Sequence, residues 1–461
     1  MRSTKLLLFV TLLAIGFSAC RKKDAVDPDV LVNFETNAQG FTASEDSIYI
    51  KVKLTSAATA GIPVEITLTE QGVAYGSEYI TEPAAVAGKI NLTIPTGNNE
   101  ASIKIKKTKN AYIGDEKIVF DIYSSGIPVI IGTTKQLALT FGQLLATTIP
   151  NTTLQGGGAT YGNKVFFDLS GNRQTPVERT TWDLGFYMGS DDFRVILNSS
   201  VNMMVKQINK TDLNTVTAAD TVGLTNEVSY NQAMPSSTQL AYIDYPDGDL
   251  TKTAIAAIAA NAADNKVYIV NRGNGIGTPA PARGWKKIKV IRNASGGYTL
   301  QHADIASNSF TSVDIAKDAA YNFKYASFET GAISIEPKKT QWDFAWTYFA
   351  NVTNFGAGEV PYLFQDVIIL NRGVGAVKVM NTTKAYDAYT LAEATAATYS
   401  TAQNAIGSDW RIGGGPGVSP AVRTDRYYVI KDTDGNYYKV KFTALTDGGE
   451  RGKPAFLADK L

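Results

Sequence analysis

The chain has one cysteine and one histidine in 461 residues. A lone thiol excludes an internal disulfide, and a lone imidazole excludes a haem or metal gripped by two histidines of one molecule. A histidine-dependent triad would have to rest on His302, with no Ser in a Gly-x-Ser-x-Gly turn to join it. Excess charge of one sign is missing too. Lys+Arg number 44 against 43 Asp+Glu, so there is no electrostatic footprint for nucleic acid. Long stretches of 3.6-residue period are rare, and beyond Phe17 no apolar run approaches the roughly 20 residues of a membrane-spanning helix. The clusters Gly156-Gly157-Gly158 and Gly413-Gly414-Gly415-Pro416-Gly417 lack the Lys-Ser/Thr of a P-loop and read as turns. No local pattern marks a catalytic carboxylate pair, so the expected class is a binder and not an enzyme.

Apolar residues gather once, at the start. Arg2 and Lys5 precede Leu6 to Phe17, a run the length of a signal-peptide core. Ser18-Ala19 then lead directly into Cys20. This resembles the bacterial lipobox, which implies a diacylglycerol-modified Cys20 and attachment to a lipid bilayer. Residues 1–20 would be the lipoprotein signal peptide and 21–30 a charged tether.

Tyr, Phe, Val, Thr and Gly are abundant, which points to strands and turns. The expected fold is all-β, mostly antiparallel, with a few short helices. Residues 31–142 carry alternating runs such as Ser47-Ile48-Tyr49-Ile50-Lys51-Val52-Lys53-Leu54, the pattern of an antiparallel sandwich. Within them Val32-Asn33-Phe34, Glu45, Gly76-Ser77-Glu78-Tyr79 and Gly114-Asp115-Glu116 fall in the order of Calx-beta domains, which the segment resembles. Some Calx-beta domains bind calcium. Here Glu45, Asp46, Glu78, Asp115 and Glu116 are a sparse set for an ion wanting six to eight oxygens, and a spacer is the expectation. Residues 143–158 read as a linker.

The rest is a repeat. Thr181-Trp182-Asp183-Leu184 returns as Gln341-Trp342-Asp343-Phe344. Upstream, Lys164-Val165-Phe166-Phe167-Asp168-Leu169-Ser170-Gly171 answers to Tyr325-Ala326-Ser327-Phe328-Glu329-Thr330-Gly331. Downstream, Val195-Ile196-Leu197-Asn198 answers to Ile368-Ile369-Leu370-Asn371. A period of about 160 residues is a duplicated domain rather than a solenoid, expected as 159–310 and 311–461. Tyr427 to Ile430 and Tyr437 to Phe442 read as a hairpin closed by Asp434-Gly435. Trp182 and Trp342 are expected to be core anchors with bonded indole N–H groups, and Asp183 and Asp343 to be structural acceptors. The alanine-rich stretches 253–263 and 391–399 read as short helices.

This order of motifs resembles the HmuY family of Bacteroidetes lipoproteins. The resemblance implies an extracytoplasmic, outer-membrane binder of haem for iron acquisition, with an outer-membrane transporter as a possible partner. Paired His or paired Met ligate the iron in that family. One His leaves Met204 (or Met203) with Met234 as the implied haem ligands, and Tyr230 as a conceivable oxygen donor. Met203 and Met204 should alternate to opposite faces of a strand. His302 is expected at the surface. The alternative is an adhesion or carbohydrate-binding lipoprotein without haem, using aromatics such as Trp346, Tyr348 and Phe349.

Overall fold

A computed structural model describes residues 29–41, 45–109, 112, 114–142, 145–415 and 417–461. Cys20 and the lipobox lie outside the described residues. The chain forms two compact units that divide between residues 144 and 145. The fold is mostly antiparallel β with a few short helices. No described helix is long and apolar enough to cross a membrane.

The first unit is a sandwich of two five-stranded sheets. One runs Tyr79–Glu82, Glu100–Lys107, Ser47–Leu54, Leu31–Phe34, Ile130–Ile131. The other runs Ala38–Gly40, Gln136–Thr140, Lys117–Ser125, Ile62–Gln71, Lys89–Ile94. Strict alternation does the sorting: Ile50, Val52 and Leu54 enter the core, with Ile50 opposite Ile103 and Val52 opposite Ala101 of the neighbouring strand. Phe41, Phe141 and Tyr112 stack at one end, with centroids 5.1 and 4.8 Å apart. At the carboxylates weighed for calcium, Glu78 pairs with Lys109 at 2.9 Å and Glu116 accepts the Gly114 N–H at 2.9 Å.

The second unit holds both repeats, and they trade strands. The first repeat's hairpin, Asn163–Asp168 with Arg173–Glu178, does not pair with its own Trp-Asp strand Leu184–Tyr187. It lies along Phe344–Asn354 of the second repeat, with Val165 opposite Trp346 and Phe167 opposite Phe344. The second repeat's hairpin, Phe323–Ser327 with Gly331–Ile333, returns the exchange, with Leu184 opposite Ala326 and Tyr187 opposite Phe323. The five-stranded meanders are closed in the same reciprocal way. Thr311–Ile315 completes the sheet of the first repeat just before the second hairpin begins. Thr148–Thr153 completes the sheet of the second repeat by pairing with Ala455–Lys460. Those residues were expected within a linker. Their threonines, with Ile149 and Leu154 buried, suit a strand, and the three glycines that follow concealed it.

The alanine-rich stretches divide. Leu391–Ala396 is helical, opened by a capping box in which Thr390 and Glu393 bond to each other's N–H. Residues 253–261 are not helical, contrary to expectation. Ile255 and Ile258 are drawn into the core, and acceptors from other segments take the backbone donors: Asp244 holds Ala254 N–H at 2.9 Å and the Tyr268 hydroxyl holds Ala256 N–H at 3.0 Å. Tertiary acceptors outbid helix propensity there. Only Ala262–Asp264 makes a 3-10 turn.

The exchange predicts that neither 145–310 nor 311–461 folds alone, since each would expose unpaired strand edges. Co-expressed, the two pieces should associate one to one, as read by size exclusion and circular dichroism. A folded, monomeric 311–461 would contradict the pairing.

Candidate functional site

The Trp-Asp phrases are where the repeats grip each other. Asp183, fully buried, accepts the Phe328 N–H of the other repeat's hairpin at 2.8 Å. It pairs with Arg272, Nε to Oδ1 at 2.9 Å and Nη2 to Oδ2 at 3.1 Å, and with Arg283 Nη2 at 2.9 Å. Asp343 makes the matching contact, accepting the Leu169 N–H at 2.7 Å. Asn198 and Asn371 donate to the Trp182 and Trp342 carbonyls at 2.9 and 2.7 Å. Charge breaks this symmetry. Arg272 follows the strand Val267–Asn271, whereas Asp432 follows its counterpart Arg426–Lys431. Among the described residues Asp343 has no cation in ion-pair range; burial, and then the nearby Asp168 carboxylate, push its pKa well above the ordinary range.

A cavity of about 500 Å³ opens on the pseudo-twofold relation between the repeats. Equivalent pairs line it: Ile196 with Ile369, and Leu197 with Leu370. The hairpins contribute matching positions, because Phe167 and Ala326 both accept from the N–H of an Asp in the Trp-Asp phrase. Three residues before each stand Lys164 and Phe323, and both line the cavity. An aromatic wall on one side thus faces an ammonium on the other. Lys164 is 9% exposed, with Nζ 4.8 Å from the centre of the Phe166 ring and 6.0 Å from that of Trp182. No carboxylate lies in ion-pair range of it among the described residues. Burial lowers its pKa to about 8, against the opposing pull of Glu336. Glu336 is itself raised to about 7 by burial although it accepts the Tyr325 hydroxyl at 2.7 Å. Asp244, on the cavity wall, accepts Leu197 N–H at 2.6 Å and is raised by burial to about 6. The indole N–H of Trp182, expected to be bonded, has no partner, and neither has that of Trp342. Apolar packing of each ring holds the indole without its donor being used.

Comparison with known proteins places this architecture. The family model described as HmuY protein matches residues 160–299 and 319–457. The chain belongs to the HmuY family. No curated protein matches it. Among solved structures, the apo-form Calx CBD1 domain is similar at 13% identity, over 25% of this chain and 96% of that one, with a TM-score of 0.22. A two-domain protein of unknown function from Bacteroides fragilis shares 11% identity over 40% of this chain and 78% of its own, at a TM-score of 0.19. A putative carbohydrate binding protein from Bacteroides ovatus shares 11% over 74% and 93%, also at 0.19.

In this HmuY-family chain the implied iron ligands are placed apart. Met203 is buried in the core with Leu184, Phe186 and Val201, while Met204 packs on the opposite face with Leu213 and Val228. Met234 is 77% exposed. None of the three lines this cavity. The Tyr230 hydroxyl is buried without a partner, and burial raises its pKa. His302 is buried beneath Phe328, centroids 5.1 Å apart, and not at the surface as expected; its position opposite Ile288 puts it on the inward face of the sheet. Trp346 and Phe349 are buried, leaving only Tyr348 of that trio half-exposed. Lys164 and Asp244 were not singled out from sequence. The alternation of Lys164, Phe166 and Asp168 on one strand face was the available signal for Lys164. Asp244 sits in an irregular segment with no period to read.

Two carboxamide substitutions separate the halves of the clasp. Asp183→Asn leaves Arg283 without its ion pair and Arg272 with only the exposed Glu329, and should cost about 3–5 kcal/mol in denaturant unfolding. Asp343→Asn keeps an acceptor for Leu169 and removes the charge. A carboxyl whose folded pKa is raised gives stability that is full below the ordinary carboxylate pKa and is lost as pH rises through the folded value. Asp343→Asn should therefore match the parent in acid and exceed it at alkaline pH.

Proposed function

We propose that this protein captures a small amphipathic anion in the pseudo-twofold cavity, without catalysis, as a lipid-anchored component of the outer membrane that hands its ligand to an outer-membrane transporter. The observation that carries the reading is the buried, unpaired Lys164 ammonium facing an apolar and aromatic wall. A cavity of this size, walled by apolar side chains on one part and by polar and charged ones on another, suits one small amphipathic molecule. An anionic group would meet Lys164 while its apolar body lies against Phe323, Trp182 and Ile369. Cys20 and the family support the envelope setting.

Haem is the ligand that the family resemblance implies, and its carboxylates would suit Lys164. The thioethers do not fit: Met203 and Met204 are closed into packed cores and Met234 stands at the surface. No iron ligation is assigned to them.

The test uses anilinonaphthalene sulfonate, an aromatic anion whose fluorescence rises in apolar surroundings. It should bind the full chain, and Lys164→Met should weaken it about tenfold or more, the loss expected for one charged contact. Affinity should fall as pH climbs through about 6, 7 and 8, where Asp244 and Glu336 gain negative charge and Lys164 loses its positive one. Asp249, on the cavity wall, stays ionised across that range. Unchanged binding in Lys164→Met would remove the proposed site. Haemin should displace the probe, and a Soret band that vanished in Met234→Ala would return the iron to the thioether.

A further inference from the structure

A second cavity, of about 610 Å³, lies on the far side of Tyr348 from the first, and its chemistry is different. A β-bulge builds it. Between the strands Phe344–Asn354 and Glu359–Leu370 the register shifts, so that Gln365 and Asp366 together oppose Tyr348. Asp366 sits at φ 53°, a left-handed conformation costly for a side chain other than Gly, Asn or Asp. The bulge turns Gln365 toward the cavity and brings Asp366 under two arginines from distant segments. Arg451 Nη2 pairs with Asp366 Oδ2, and Arg411 Nε lies 3.9 Å from the same oxygen.

Cation is in excess here. Arg411 is 8% exposed, its Nε has no hydrogen-bond partner, and the Arg451 Nε has none either. Arg179, also buried and lining the cavity, spends its donors on the Tyr161 and Ser200 carbonyls at 2.8 and 2.7 Å and lies over the Tyr348 ring. Among the described residues Asp366 is the one carboxylate in ion-pair range of Arg411 or Arg451, and none is in range of Arg179. At the mouth stands Phe355, 67% exposed and set edge-on against Tyr362 at 5.6 Å. Its turn is pinned by Asn354 Oδ1, which accepts the Gly356 and Gly358 N–H groups at 2.7 and 3.2 Å.

We infer that this cavity binds a sugar acid, its carboxylate received by Arg411 and Arg451 and its ring lying against Phe355 and Tyr362. Two guanidiniums set against one carboxylate leave a net positive wall that favours an oxyanion. The cavity-lining Asn202 and Asn274 offer amides for hydroxyl groups, while Gln365 is held by Tyr348 and Arg451. The exposed ring supplies an apolar surface for the C–H face of a pyranose. Nothing in this inference depends on the Lys164 cavity.

Calorimetry on the full chain with glucuronate, glucose and sodium sulfate tests it. Glucuronate should bind, with glucose weaker by about tenfold or more, the value of one charge-assisted contact. Arg451→Gln should reduce glucuronate affinity by a similar factor, and Phe355→Ala, a surface change that leaves the core intact, should reduce it about threefold or more. Lys164→Met should leave glucuronate binding unchanged. Glucose binding as well as glucuronate would overturn the inference, as would sulfate competing as strongly as glucuronate. Absence of heat with glucuronate, or Phe355→Ala behaving as the parent, would also overturn it.

Discussion

The buried carboxylate of Asp183 is the contact on which the two-repeat unit depends. It receives two guanidiniums from its own half and a backbone N–H from the other half's hairpin. Its energetic weight lies in what its loss would leave behind, since Arg283 would remain buried without an ion pair and Arg272 with only the exposed Glu329. Asp343 repeats the backbone contact without the arginines. One clasp is therefore ionic and the other rests on a carboxyl that favours its proton, although the two occupy equivalent places in the fold.

That inequality extends to the cavity between the halves. Two copies of one sequence would line it symmetrically, and part of the lining does so, as Ile196 with Ile369 and Leu197 with Leu370. Replacement at one position gives Lys164 opposite Phe323. A symmetric apolar seam needs no occupant beyond the packing of its walls. A buried amine there has no internal partner, which is costly unless something else supplies the negative charge. Divergence after duplication is visible in these side chains more clearly than in the strands, which kept their pairing.

Much of the fold was legible in the sequence because strands with one buried face write their register into a two-residue period. Ser47–Leu54 is of this kind, whereas the hairpin around Asp434-Gly435 is buried on both faces and was marked by its turn, where Gly435 takes the positive φ required. The Trp-Asp repeat marked equivalent strands, and the run of alanines marked the helix Leu391–Ala396. What escaped was non-local. No local pattern tells a hairpin to pair with a strand about 180 residues away, nor tells residues 253–261 that Asp244 and Tyr268 will take their N–H groups. The candidate sites were harder still. Methionine drew attention as a possible ligand, yet Met203 and Met204 serve as packing and Met234 is exposed, while Lys164 stood only as one residue of a repeated strand.

The closing strands carry a further consequence. Thr148 lies opposite Asp459, so the unit begins and ends on neighbouring strands of one sheet, and Thr311–Ile315 occupies the corresponding place in the other. A short bridge joining residue 461 to residue 145, with a new opening in the loop 305–310, would reverse the order of the halves and keep every strand partner. For a ring of strands arranged in this way, where translation starts is a property of the gene and not of the architecture.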